Sequence, residues 1–266
     1  MIKSILFTQC LQNDYCKPIG KYDPIPNLVH IGYEESVRLM GLNPKEGPVS
    51  NIMKWAYEQS DEELEIIHLR DWHDPEDENQ REHLELYGDH CIQYTDGSRF
   101  AFHLDKYPRL ATIIESLQLN DFVNTELEEI LEPYKNEKIR IGIMGVMTEG
   151  KISFLAYDLK TRYPQFDIAV CSALCAGSSI SSHYTALDNM QKILGIRVLN
   201  SIGEFTGFLT GNDSSFEIDA PSKDDFPRLT FNKEANVTDA DDNIIRYLFR
   251  NARSVELSVL DGGYSG

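Results

Sequence analysis

The chain has 266 residues, 41% hydrophobic and 26% charged, which fits one large α/β domain or one domain with a small appendage. A formal net charge of −18, with Lys and Arg scattered rather than clustered, excludes nucleic acid and anionic membranes as natural partners, because phosphates would be repelled over much of the surface. No apolar run reaches the roughly 18 residues that a membrane helix needs, the polar N-terminus is not a signal peptide, and five cysteines without paired spacing point to a reducing cytoplasm.

In chain order, apolar and β-branched runs predict strands at Ser4–Leu11, Leu64–Leu69, Lys138–Val146, Phe166–Cys171 and Ile196–Val198. The stretch Glu149–Arg162 carries Ile152, Leu155, Ala156 and Leu159 at helical spacing, and Ser182–Leu194 reads as a second helix. This alternation implies crossover units: an α/β, Rossmann-like three-layer fold with a mostly parallel sheet and helices on both faces. Sites in such sheets form at the carboxyl ends of the strands.

Residues 17 to 50, with Pro18, Pro24, Pro26, Pro44 and Pro48, read as an irregular excursion. An α/β domain is expected over residues 1–210, a polar linker over 211–240, and a C-terminal extension over 241–266 that ends in DGGYSG. The extension is expected to be the start of another module; its glycine turn is similar to the opening of kinase-like phosphotransferase domains.

Three strand-end segments carry a resemblance. They are ILFTQCLQNDYC, then IHLRDWHDPED with GDHCIQYTDG, then IGIMGVMTEGKISFLAYDL. In this order they resemble the isochorismatase-like cysteine hydrolases, which include the nicotinamidases. Members use an Asp, a Lys and a nucleophilic Cys, with backbone N–H groups at the start of the Cys helix as an oxyanion hole. The resemblance places the family Asp at Cys10, the Cys at Lys151 and the Lys near Ser116, upstream of NDFVNTEL. It also implies a cis peptide at Val146–Met147.

All three triad roles are therefore substituted, and two readings stand. In the first, the domain is catalytically degenerate and serves as a small-molecule-binding or assembly module. In the second, Cys10 and Lys151 have exchanged roles in a hydrolase of small amides or pyridine-type compounds, since an ammonium beside a thiol favours the thiolate. Asp71, His73 and His90 match the metal ligands of nicotinamidases, and such a set suits zinc or iron. His83 and His103 lie in no motif and are expected at the surface. In SSISSHYTAL, which holds His183, Ser179 or Ser181 is expected to cap a helix. Relatives commonly assemble, so a homo-oligomer is expected by resemblance.

Overall fold

The computed structural model describes residues 3–102, 111–212, 228–231, 245 and 254–257. They fall into two compact units, Met1–Asp213 and Ser214–Gly266. In chain order the first unit comprises β1 (Ser4–Gln9), α1 (Asn13–Cys16), α2 (Gly32–Met40), α3 (Pro48–Glu58), β2 (Leu64–Asp71), α4 (Arg81–Tyr87) and β3 (Thr112–Ser116). It continues through α5 (Leu127–Leu131), β4 (Arg140–Val146), α6 (Ser153–Arg162), β5 (Asp167–Ala176), α7 (Ile180–Leu194), β6 (Arg197–Leu199) and α8 (Ile202–Thr210).

The six strands form one sheet in the order β3-β2-β1-β4-β5-β6, and every neighbouring pair is parallel. A sheet covered on both faces buries its strands completely, and all six residues of β1 are buried. Ile5, Leu6, Phe7, Ile67, Leu69, Ile141, Ile143 and Val170 form the centre of the core. At Gly142 an added Cβ would lie 2.7 Å from the Phe205 ring, so the missing side chain lets α8 pack directly on β4. The strand order reverses between β1 and β4. Their carboxyl ends therefore open a crevice, where ligands bind in open α/β sheets.

Two local expectations are corrected. The segment 17–50 is not irregular throughout, because it contains α2 and the start of α3. Pro48 occupies the first turn of α3, where its missing N–H would have had no helical partner anyway. The edge strand β3 was not expected, and its TIIES pattern is half exposed. Ser179 caps α7 by accepting from the backbone N–H of Ser182 at 3.0 Å, and Gly195 ends that helix in the left-handed conformation.

In the second unit, Arg228–Phe231 (β7), inside the segment expected as a linker, pairs in parallel with Ser254–Leu257 (β8). Residues 213–227 and 232–240 of that segment, the DGGYSG terminus and His103 lie outside the described residues. Among the described residues no helix is long and apolar enough to cross a membrane.

Candidate functional site

Four adjacent strands deliver the site. Beyond β1 the chain turns at Cys10, whose φ of 48° is left-handed and whose side chain is buried. β2 ends on Asp71 and β3 on Ser116, while the turn Thr148–Ile152 after β4 carries Lys151. The Val146–Met147 peptide leading into that turn is cis. Gln12 fixes Asp71 through its backbone: its Nε2 donates to the Asp71 carbonyl at 2.7 Å, and its Oε1 accepts from the Asp71 N–H at 2.8 Å.

At the centre lies a buried ammonium. Lys151 Nζ donates to Asp71 Oδ1 at 2.5 Å and to Ser116 Oγ at 3.1 Å, and forms an ion pair with Asp121 Oδ1 at 2.9 Å. Three oxygens thus face its three N–H donors. Asp71 in turn accepts from Tyr15 OH through Oδ2 at 2.5 Å, and the Cys10 thiol points at Oδ1 from 3.6 Å.

The charges follow from this arrangement. Burial opposes the Asp71 carboxylate, but the Lys151 ammonium first, and the neighbouring His73 and His90 rings after it, hold its pKa well below the usual range. Burial likewise opposes the Lys151 charge, and the Asp121 and Asp71 carboxylates overcome it, so its pKa lies well above that of a free lysine. Burial raises Asp121 in spite of the lysine. Burial also drives the Cys10 thiol well upward, and the Asp71 carboxylate adds to that rise more than Lys151 subtracts. The thiol is therefore protonated at neutral pH.

Beside Asp71 the ligating atoms of His73, His83 and His90 lie within 4.8 Å of one another. His73 Nδ1 faces Gln80 Oε1 at 3.0 Å and His90 Nδ1 faces the Gly88 carbonyl at 2.8 Å. Partners of this kind fix the ring tautomer and leave the Nε2 lone pair free for a cation. Nε2 of His73 and of His83 is buried without a hydrogen-bond partner. Two orphaned, converging imidazole nitrogens fit a divalent ion such as zinc or iron. Asp71 Oδ2 is 3.6 Å from His73 Nε2 and 3.7 Å from His90 Nε2.

Next to this cluster a cleft of about 380 Å³ is lined by Tyr15, His83, Tyr87, His90, Lys151, Phe154 and their neighbours. Its volume lies in the range of small-molecule sites. Cys10 is not among the described residues that line it.

The residues expected from sequence thus come together: Asp71, His73, His90, Cys10, Lys151 and Ser116 all surround one carboxylate or its partners. Two were missed. His83 is not a free surface group, because its ring packs at 4.8 Å from His73 and 5.3 Å from His90. A third histidine between His73 and His90 was the available signal. Asp121, 2% exposed, lies in NDFVNTEL, which was read only as the segment that follows the position of the family Lys. His183 braces the turn before Lys151, its Nδ1 lying 2.7 Å from Thr148 Oγ1.

Comparison with known proteins agrees with the fold. Nicotinamidase/pyrazinamidase PncA from Bacillus subtilis superposes with a TM-score of 0.59 at 18% identity, over 75% of this chain and 100% of that one. Pyrazinamidase of Pyrococcus horikoshii in complex with zinc gives 0.54 at 22%, over 75% and 99%. PnC1 from L. infantum in complex with nicotinate gives 0.52 at 17%, over 75% and 93%. No curated protein sequence matches. The isochorismatase domain profile matches residues 27–200, most of the chain, and with the six-stranded parallel sheet around this site the chain belongs to the isochorismatase family.

Proposed function

We propose that this chain binds a small molecule in its cleft without forming a cysteine adduct, as a non-hydrolytic member of the family. One observation carries this reading: the residue at the nucleophile's position, Lys151, is an ammonium enclosed by Asp71, Asp121 and Ser116. Covalent amide hydrolysis needs an activated nucleophile in contact with substrate. Lys151 has no lone pair while protonated. The Cys10 thiol is buried, raised in pKa and absent from the cleft lining. The hydrolase alternative rests on the 3.6 Å approach of that thiol to Asp71 Oδ1, where a carboxylate could take its proton.

The cleft wall suits a compact ring compound: Tyr15, Tyr87 and Phe154 supply apolar faces, and His83, His90 and Glu149 supply polar ones. His73, His83 and His90 would hold a zinc or iron ion, which when bound supplies a Lewis-acid contact for a lone pair on the ligand. Tyr15 and Lys151 hold the Asp71 carboxylate in place, and the Phe154 ring lines the cleft. Assembly into a homo-oligomer belongs to the same proposal and is read by light scattering.

Native mass spectrometry tests the binding claim, on the wild type and His90→Ala, with a panel of nitrogen heterocycles that includes nicotinamide and nicotinate. Retention of a panel member by the wild type, unchanged in mass and lost in the variant, is the expected result. Turnover of any amide in the panel that disappears with Cys10→Ser would overturn the proposal.

A further inference from the structure

We infer that Asp71 serves Lys151 as its counter-ion and is withheld from the metal, so that His73, His83 and His90 alone make the cation site of this chain. The inference rests on the metal-binding reading above and goes beyond it in assigning the ligand set and the group that controls affinity.

The geometry of Asp71 supplies the reason. Its Oδ1 carries the 2.5 Å bond from Lys151 and faces the Cys10 thiol at 3.6 Å; its Oδ2 carries the 2.5 Å bond from Tyr15. Each oxygen already accepts a hydrogen bond, and the carboxylate faces in direct contact an ammonium that it shares with Asp121. A carboxylate in that state offers little charge to a second cation. The two imidazole nitrogens nearest Oδ2 stand 3.6 and 3.7 Å away, yet neither donates a bond to it within hydrogen-bonding distance. The imidazoles have what the carboxylate lacks: buried Nε2 atoms without partners on His73 and His83, and rings oriented by Gln80 Oε1 and the Gly88 carbonyl. Lys151 therefore holds down the affinity of the neighbouring site for a divalent ion, because it draws on the charge of the Asp71 carboxylate that could otherwise strengthen it.

The test is zinc affinity of the full chain, measured by competition with a chelating dye, with far-UV circular dichroism to confirm folding. In the wild type His83→Ala should weaken binding at least about 10-fold, the scale on which metal sites respond to lost support. Asp71→Asn should change it by less than about 3-fold. Lys151→Met should tighten it by about 10-fold or more, since outer-sphere partners tune affinity on that scale. The double variant Lys151→Met/Asp71→Asn should return to the wild-type value, because the gain runs through the freed carboxylate. A loss in Asp71→Asn equal to that in His83→Ala overturns the inference, as does an unchanged affinity in Lys151→Met. If Lys151→Met does not fold, Asp71→Asn decides alone. Zinc affinity that is indifferent to His83→Ala overturns the ligand set inferred here, whereas a wild type with no measurable zinc binding overturns the metal-binding reading itself.

Discussion

Replacing Lys151 by Met removes the ammonium while keeping a side chain of similar length, and leaves two buried carboxylates facing each other's field. Lys151 is 5% exposed, and Asp71 and Asp121 are each 2% exposed, so solvent screens little of the loss. Removing one partner of such a buried pair costs about 3–5 kcal/mol, because the other charge is left uncompensated. For a domain of this size each kcal/mol moves Tm by about 2–4 °C, so a fall on the order of 10 °C is expected at neutral pH. The measurement is a thermal melt in chelator, so that no bound metal masks the change. The pH dependence follows from the shifts. Asp71, depressed below its ordinary 3.8, contributes stability that is present above that value and lost as pH falls through its lower folded pKa. Lys151, raised above its ordinary 10.5, contributes stability that is fully present below 10.5 and lost as pH rises through its higher folded pKa. The wild type therefore keeps the whole contribution between these limits. In the variant Asp71 loses the charge that depressed it and takes up a proton more readily, so the gap between the two melts should narrow toward acid pH. A melt of Lys151→Met within about 2 °C of wild type at pH 7, below the smallest shift expected for one kcal/mol, would refute the ion-pair account of this site.

Tyr15→Phe deletes the hydrogen bond to Asp71 Oδ2 and should cost about 1.5–3 kcal/mol in urea denaturation, the range for bonds to charged groups; an unchanged midpoint would show that the carboxylate does not depend on it. Gly145→Ala should prevent folding, because at φ +131° an added Cβ would stand 2.1 Å from the Gln9 carbonyl oxygen on the neighbouring strand. Gly195→Ala, at φ +64° with open space around it, should cost only about 1–2 kcal/mol, so comparing the two by soluble yield and Tm separates steric from conformational strain. Ser201→Ala breaks the capping box with Glu204 at the start of α8 and should lower stability by about 0.5–2 kcal/mol, measured by the same denaturation.

The central strands were legible because a parallel sheet buried on both faces forces continuous apolar runs such as ILF and IGIMGV. β3 was not, since an edge strand needs few buried residues, and Thr112, Ile113 and Glu115 are exposed. The prolines between residues 17 and 50 hid two helices, because Pro48 opens α3 rather than breaking it. At the site, Asp71, His73 and His90 were visible through the family resemblance, and Lys151 as a gapless departure from it. Asp121 and His83 were not, because each comes from a separate segment, α4 or the loop after β3, and joins the cluster through tertiary packing alone. The sequence could place Cys10 and Lys151 at triad positions, but it could not show that Asp71 stands between them as the partner of both.

The most direct test of the central claim, that no cysteine nucleophile serves this cleft, is the alkylation rate of Cys10 across pH, followed residue by residue by peptide mass. With its thiol buried and raised in pKa, Cys10 should react no faster than the equally buried Cys171 and Cys175. Selective, rapid modification of Cys10 with a midpoint below about pH 8.5, the value of a free thiol, would contradict the account and restore the hydrolase reading.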